Sequence, residues 1–443
     1  MLSLLFYPKF RSFFARYTVV AFCYVALSST ATALVPSTIF VDSGDFPSPY
    51  YNFYEDRESF MECAKREFNY GKIFFQIPFS RNLKLFYIEI LPYVLIFFSI
   101  YFIFKIFTIQ SYLSLIIPIL AIVNPSSFLL FSGANIDLLI FILLLFTAHN
   151  RIFFINWFLY FFLTFIKIYP VILFLNIFFE NNKRSIKNIA IIIISLILIS
   201  FIYLYYNLSE YIYFLNNLSG AKAGYHYLFS LNSIAKIMKY KFELNYILLL
   251  FFTYSVFFYL TIKNYKKFSF NLDDINNQNI SIYDLEFKLF MVSSYLSILC
   301  FICFSNFFHR EIFLIGTLPL IFKLDTVIKK SSFKFIIILY LVKLLFSYIY
   351  AFYNINDGIS YDNNQRIFSD LFIIVITIKS LIDYIFMIMI SALSLYCTKI
   401  SYNLFLIKVN LTNPKKDWII NLRLTELSPL VLFTKVVESS SIL

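Results

Sequence analysis

Charge is the first thing this sequence is short of. Only 14% of its 443 residues are Asp, Glu, Lys or Arg, against about 25% in soluble domains, which excludes an ordinary soluble globule. Cysteine and histidine are scarce, at 5 and 3 residues. The histidines stand apart at His149, His226 and His309, so no haem or zinc centre is favoured and no metal ligand set is expected. Cys300 and Cys303 form a C-x-x-C inside the apolar run "SILCFICFSNF", where they read as small apolar residues rather than a redox pair. Glycine is rarer still for a chain of this length, with 7 residues. Membrane helices that slide or pack closely use glycine, so an alternating-access carrier is disfavoured. No dense basic cluster appears outside the loops, and nucleic acid is not an expected partner.

What is abundant is apolar surface. Hydrophobic residues make up 60% of the chain, mean hydropathy is +0.77, and there are 59 Phe and 35 Tyr. Apolar runs of about 18 residues or more recur from end to end, each long enough to cross about 30 Å of hydrocarbon. In lipid the backbone must satisfy its own hydrogen bonds, so these runs are helices, and the two-residue alternation of barrel strands is absent. The expected fold class is all-α: a polytopic helical membrane protein in contact with membrane lipid.

The spans fall near residues 87–108, 112–131, 135–148, 152–179, 188–206, 245–262, 288–305, 311–322, 335–353 and 371–397, after a first helix ending near 35. The "ATA" at 31–33 resembles a signal-peptidase site; we read the segment as a retained helix. The stretch 152–179 is too long for one span and is divided at Lys167–Pro170, because Pro and the residue before it disfavour helix continuation. About twelve spans result. With that division "ENNKRSIK", "KNYKK" and "KLDTVIKKSSFK" share one side with Lys399 and Lys408, the positive-inside pattern, with both termini cytoplasmic. A formal charge of +12 suits basic edges against anionic lipid. Residues 1–408 form the membrane domain, with a large exoplasmic loop at 41–86, and residues 409–443 form a cytoplasmic tail.

The inner connections are plain Lys and Arg punctuation, whereas the outer ones mix acids, bases, Asn, Gly and Tyr. The outer set carries Asp42 and Asp45 in "PSTIFVDSGDFPSPY", Asp137 after "SGAN", Lys167, Lys222 and His226, then His309, Arg310 and Glu311 in "NFFHREIF". A charge at mid-span costs roughly 2.5–3.5 kcal/mol on insertion scales and needs a partner or a purpose. Asp137 reads either as a helix N-terminal acid favoured by the macrodipole or as a site residue, and Lys167 either as a snorkelling cation or as one. Lys379 and Asp383, four apart on one helix, read as a self-neutralising pair.

An acid in a large first outer loop, "K-x-Y-P" at 167–170 and "HREIFLIGTLPL" at 309–320 together resemble the GT-C fold of integral-membrane glycosyltransferases. The nearest likeness is to the bacterial polyprenyl-phosphate-mannose-type mannosyltransferases, in which "K-x-x-P" and "Y-R-x-x-x-L…P" patterns recur. The resemblance covers roughly residues 15–400. The family's usual first-loop pattern places an Asp a few residues before a Tyr. Asp45 and Tyr50 match it loosely, but the intervening "FPSP" departs from it, and His309 stands where the family often has Tyr. The resemblance implies transfer of a mannose-type hexose from a polyprenyl-phosphate sugar to a glycan or lipid acceptor at a bacterial inner membrane. It implies no cofactor beyond the lipid-linked donor. Asp45 or Asp42 would be the general base. Arg310 and Lys167, with His309, Lys222, His226 or Asp137, would bind the substrates and meet the leaving phosphate. Other readings are a lipid-linked sugar flippase or transporter, an O-antigen polymerase or ligase, and a membrane scaffold. The polymerases and ligases typically carry their largest outer loop late, not first.

Overall fold

A computed structural model describes residues 136–150, 152–166, 170–174, 229–242, 244–268, 285–302, 308–356, 359–362 and 365–412, with scattered positions between 97 and 127 and between 194 and 201. Among these, the elements in chain order are α1 (Ile136–His149), α2 (Phe153–Ile166), α3 (Leu231–Phe242), α4 (Tyr246–Tyr265), α5 (Leu285–Ile302), a 3-10 segment (Phe308–Thr317), α6 (Leu318–Ile328), α7 (Ser331–Asn356), β1 (Ile359–Asp362), β2 (Gln365–Phe368) and α8 (Asp370–Thr412). Among the described residues, four helical stretches are long and apolar enough to cross a membrane: Tyr246–Phe268, Leu285–Ile302, Ser331–Ala351 and Asp370–Ser401. The chain is a helical membrane protein, and the pair β1–β2 is a short antiparallel hairpin between α7 and α8.

Local sequence explains where the helices stop. Asn245 caps α4, its Oδ1 accepting from the backbone N–H groups of Ile247 and Leu248 at 3.0 and 3.3 Å, which satisfies donors that a helix start leaves orphaned. Among the described residues α2 runs to Ile166 and residues 170–174 are wound as a 3-10 turn, where the ring and missing N–H of Pro170 disfavour an α-helix. The sequence places a single span at 311–322. The chain there is a ten-residue 3-10 segment running into α6, with Pro319 in the first turn of α6, where its lost donor costs nothing. Their summed rise is about 36 Å at the usual rise per residue. α6 ends at Lys329, which adopts the left-handed conformation (φ 55°) and donates its N–H to the Asp325 carbonyl at 3.2 Å. α3 falls in what the sequence reads as an outer loop; its low hydrophobicity hides it from a search for spans.

Burial sorts the helices. In α8, 67% of the apolar window is buried and in α5 61%, against 17% in α4. α5 and α8 therefore form the centre, and α4 turns Ile247, Leu248, Phe251 and Phe252 outward, as lipid permits. Polar contacts tie the central pair: Ser294 to Ser394 at 3.1 Å and Tyr295 to Thr398 at 2.9 Å. Tyr384 of α8 donates to the Thr253 carbonyl of α4 at 2.7 Å. In a membrane, where burial between helices gains little from water exclusion, such bonds and close packing supply the cohesion. Gly316 packs against Ser293 so tightly that a Cβ there would collide with the Ser293 hydroxyl.

Candidate functional site

Two ion-paired clusters lie inside this bundle, and neighbouring residues of the 3-10 segment feed them. The first joins Arg310 to Asp137. Asp137 is the second residue of α1, in the turn where backbone N–H groups and the helix dipole favour a carboxylate. Its Oδ2 accepts from Arg310 Nε at 3.0 Å, with side-chain exposures of 0% for the acid and 13% for the arginine. Asp137 is thus the helix N-terminal acid that the macrodipole favours, and it also pairs with Arg310.

The second cluster is a closed ring of alternating charge. Lys343 of α7 contacts Glu311 Oε2 and lies 2.8 Å from Asp383 Oδ1. Lys379 of α8 lies 2.8 Å from Glu311 Oε1 and 2.8 Å from Asp383 Oδ2. Every lysine touches both acids and every acid touches both lysines. All four residues are buried, and the Lys343 ammonium also stands 5.3 Å from the centroid of the Phe229 ring, within cation–π range. The ring is formally neutral, which is what makes its burial tolerable: an isolated buried ion costs several kcal/mol, and only close opposite charge with good geometry offsets that.

The helical hairpin explains why these residues meet. α7 and α8 pack together, joined by β1–β2, and Lys343 precedes Asn356 by as many residues as Asp383 follows Asp370. Antiparallel neighbours thus bring them to one level, about 18 Å from the start of α7 at the α-helical rise. The self-neutralising Lys379–Asp383 pair is present, but as one edge of the ring. Glu311 was legible as an outer charge of "NFFHREIF" but not as a partner of these lysines, and Lys343 is the member that sequence reasoning missed. The usable signal was Lys343 itself, a cation deep in an apolar span.

Of the residues singled out from sequence, the structure brings Asp137 and Arg310 together. His309 lies in the 3-10 segment. Asp42, Asp45, Lys167, Lys222 and His226 lie outside the described residues, as do the loop at 41–86 and most of the tail after 408. Cys300 is buried in α5 as an unbridged thiol, and Cys303 is not among the described residues. On α3, outside the spans, partial burial lowers the pKa of Lys236 below the ordinary lysine value.

The chain matches no protein-family model, and no curated protein or solved structure is detectably similar to it.

Proposed function

We propose that this chain is a GT-C-like membrane glycosyltransferase of about twelve spans. It would move a mannose-type hexose from a polyprenyl phosphate to an acceptor hydroxyl on the outer face of a bacterial inner membrane, with both termini cytoplasmic. One observation carries the reading: Arg310, partly exposed, is held by the fully buried Asp137 at the starts of two helical segments that our topology places on the outer side. A lipid-linked donor cannot leave the bilayer, so its phosphate must be met by a fixed cation near the membrane edge. A guanidinium suits that task because its planar fork matches phosphate oxygens and it stays charged.

In the proposed step the acceptor oxygen attacks the anomeric carbon as its proton passes to the carboxylate of Asp45 or Asp42. The bond from the anomeric carbon to the phosphate oxygen breaks, and its electron pair leaves on the lipid phosphate. Arg310, with Lys167 or another outer cation, stabilises that charge. The test is incubation of the purified protein with radiolabelled polyprenyl-phosphate sugars and membrane acceptors. Label should pass to an acceptor and free polyprenyl phosphate should accumulate. Asp45→Asn should abolish transfer without unfolding the protein, with Asp42→Asn as the alternative base. Full turnover in both single variants and the double variant would remove the first-loop base from the account.

Transport of a lipid-linked sugar is a second reading, and the buried charged ring favours it, since ionisable groups deep in a span often mark pathways. Against it, each charge in the ring is already paired. Buried Phe386, Met387 and Ile390 also separate Asp383 from the hydroxyls of Ser391 and Ser394 along α8. Movement of intact labelled lipid across proteoliposomes, without transfer of its sugar, would establish this reading over the first.

A further inference from the structure

We infer that Glu311 is a positioning residue: the charged ring anchors the 3-10 segment and thereby fixes where the Arg310 guanidinium stands against Asp137. The inference rests on the donor-phosphate reading only for what Arg310 is used for.

Three observations lead to it. Arg310 and Glu311 are consecutive and serve different clusters, Arg310 reaching α1 while Glu311 reaches α7 and α8. At 3.0 residues per turn, neighbours on a 3-10 helix leave the axis about 120° apart, so one short stretch of backbone is pulled from two sides. The segment is also unusually long. It runs for ten residues, whereas 3-10 runs beyond about 3–4 residues are uncommon because their hydrogen bonds are poorer. Something outside it must hold it. Rewinding it as an α-helix would shorten it by about 5 Å and turn its side chains to new directions. The ring holds one end through Glu311, and the tight seat of Gly316 on Ser293 holds the other. Of these anchors, Glu311 is bonded directly to the residue that carries the guanidinium.

A merely structural ring and a positioning ring differ in one measurable respect. The first stabilises the protein uniformly, while the second also sets the strength of the Arg310–Asp137 contact. Thermal unfolding of the full chain in detergent separates them. Asp137→Asn, Arg310→Gln and the double variant are measured with the ring intact and again with Glu311→Gln and Lys343→Met. That neutral removal leaves the Lys379–Asp383 pair in place. With the ring intact, the double variant should lose several degrees less than the two single losses together. In the ring-neutral background that saving should fall by half or more. An unchanged saving overturns the inference. Should the ring-neutral protein fail to fold, Glu311→Asp repeats the comparison, because it keeps the charge but draws the anchor in by one methylene. If neither background yields folded protein, the ring is a structural requirement only and the positioning role is withdrawn.

Binding of farnesyl phosphate, a short lipid phosphate, tells failure of the inference from failure of the functional reading. If both hold, Arg310→Gln and Glu311→Asp each weaken binding roughly tenfold or more. If Arg310→Gln binds like the wild type while the saving still collapses, positioning stands and the phosphate role of Arg310 falls.

Discussion

Arg310, Glu311, Lys343 and their partners show how charge is made tolerable in an apolar bundle. Each carries a group that insertion into lipid penalises, and each penalty is met by an opposite charge at contact distance. Removing one member strands its partners. Lys343→Met should therefore cost about 3–5 kcal/mol, the usual range for breaking a buried pair. Glu311→Gln with Lys343→Met should recover most of that, because neutrality returns and the Lys379–Asp383 edge survives. Thermal unfolding of the two variants in detergent checks the order, and a double variant no better than the single one would show the ring is not balanced as a unit. At this scale the sequence was partly legible. Lys379 and Asp383 could be paired by eye because four residues on a helix bring side chains together. Asp137 and Arg310 could each be flagged as costly charges, but they are 173 residues apart, and only tertiary packing makes them partners.

The elements were legible where hydrophobic length alone decides them and obscure where packing does. α4, α5, α7 and the apolar part of α8 fall on expected spans. The stretch after Phe308 overlaps the span expected at 311–322, but its winding was not legible, since no pattern of apolar residues distinguishes a 3-10 winding from an α-helix. α3 was hidden by its lysines and low hydrophobicity, and the hairpin by the shortness of its strands. Two backbone features here are testable. Gly316→Ala should destabilise the protein by about 1–3 kcal/mol, the cost of overpacking, because the new Cβ meets the Ser293 hydroxyl. Ser293→Ala should recover part of the loss. Lys329 ends α6 in a left-handed conformation that disfavours side chains with a Cβ. Lys329→Gly should therefore raise stability by about 1 kcal/mol, seen as a higher unfolding midpoint.

At the scale of the whole molecule, the proposed role of Arg310 depends on sidedness. Lys323 near the end of α6 lies 3.6 Å from Glu286 at the start of α5, so those ends share a side. The opposite ends, with Arg310 and Asp137, then face the other. In the proposed topology the positive-inside pattern would put the first side in the cytoplasm. Single-cysteine labelling of intact cells with an impermeant reagent should mark residue 60 and spare residue 275. The reverse pattern would move Arg310 to the wrong face for an outer-leaflet donor.

The central claim, that Arg310 serves a leaving phosphate rather than only its partner Asp137, is tested most directly by transfer from a radiolabelled polyprenyl-phosphate sugar. Wild type is compared with Arg310→Ala, Asp137→Asn and the double variant, alongside their unfolding midpoints. The double variant is charge-balanced and should regain most of the stability lost in Arg310→Ala. Its transfer should stay roughly 100-fold or more below wild type, the scale of losing an electrostatic stabiliser of a transition state. A double variant that transfers sugar as fast as the wild type would contradict the account, for Arg310 and Asp137 would then be a structural pair and nothing more.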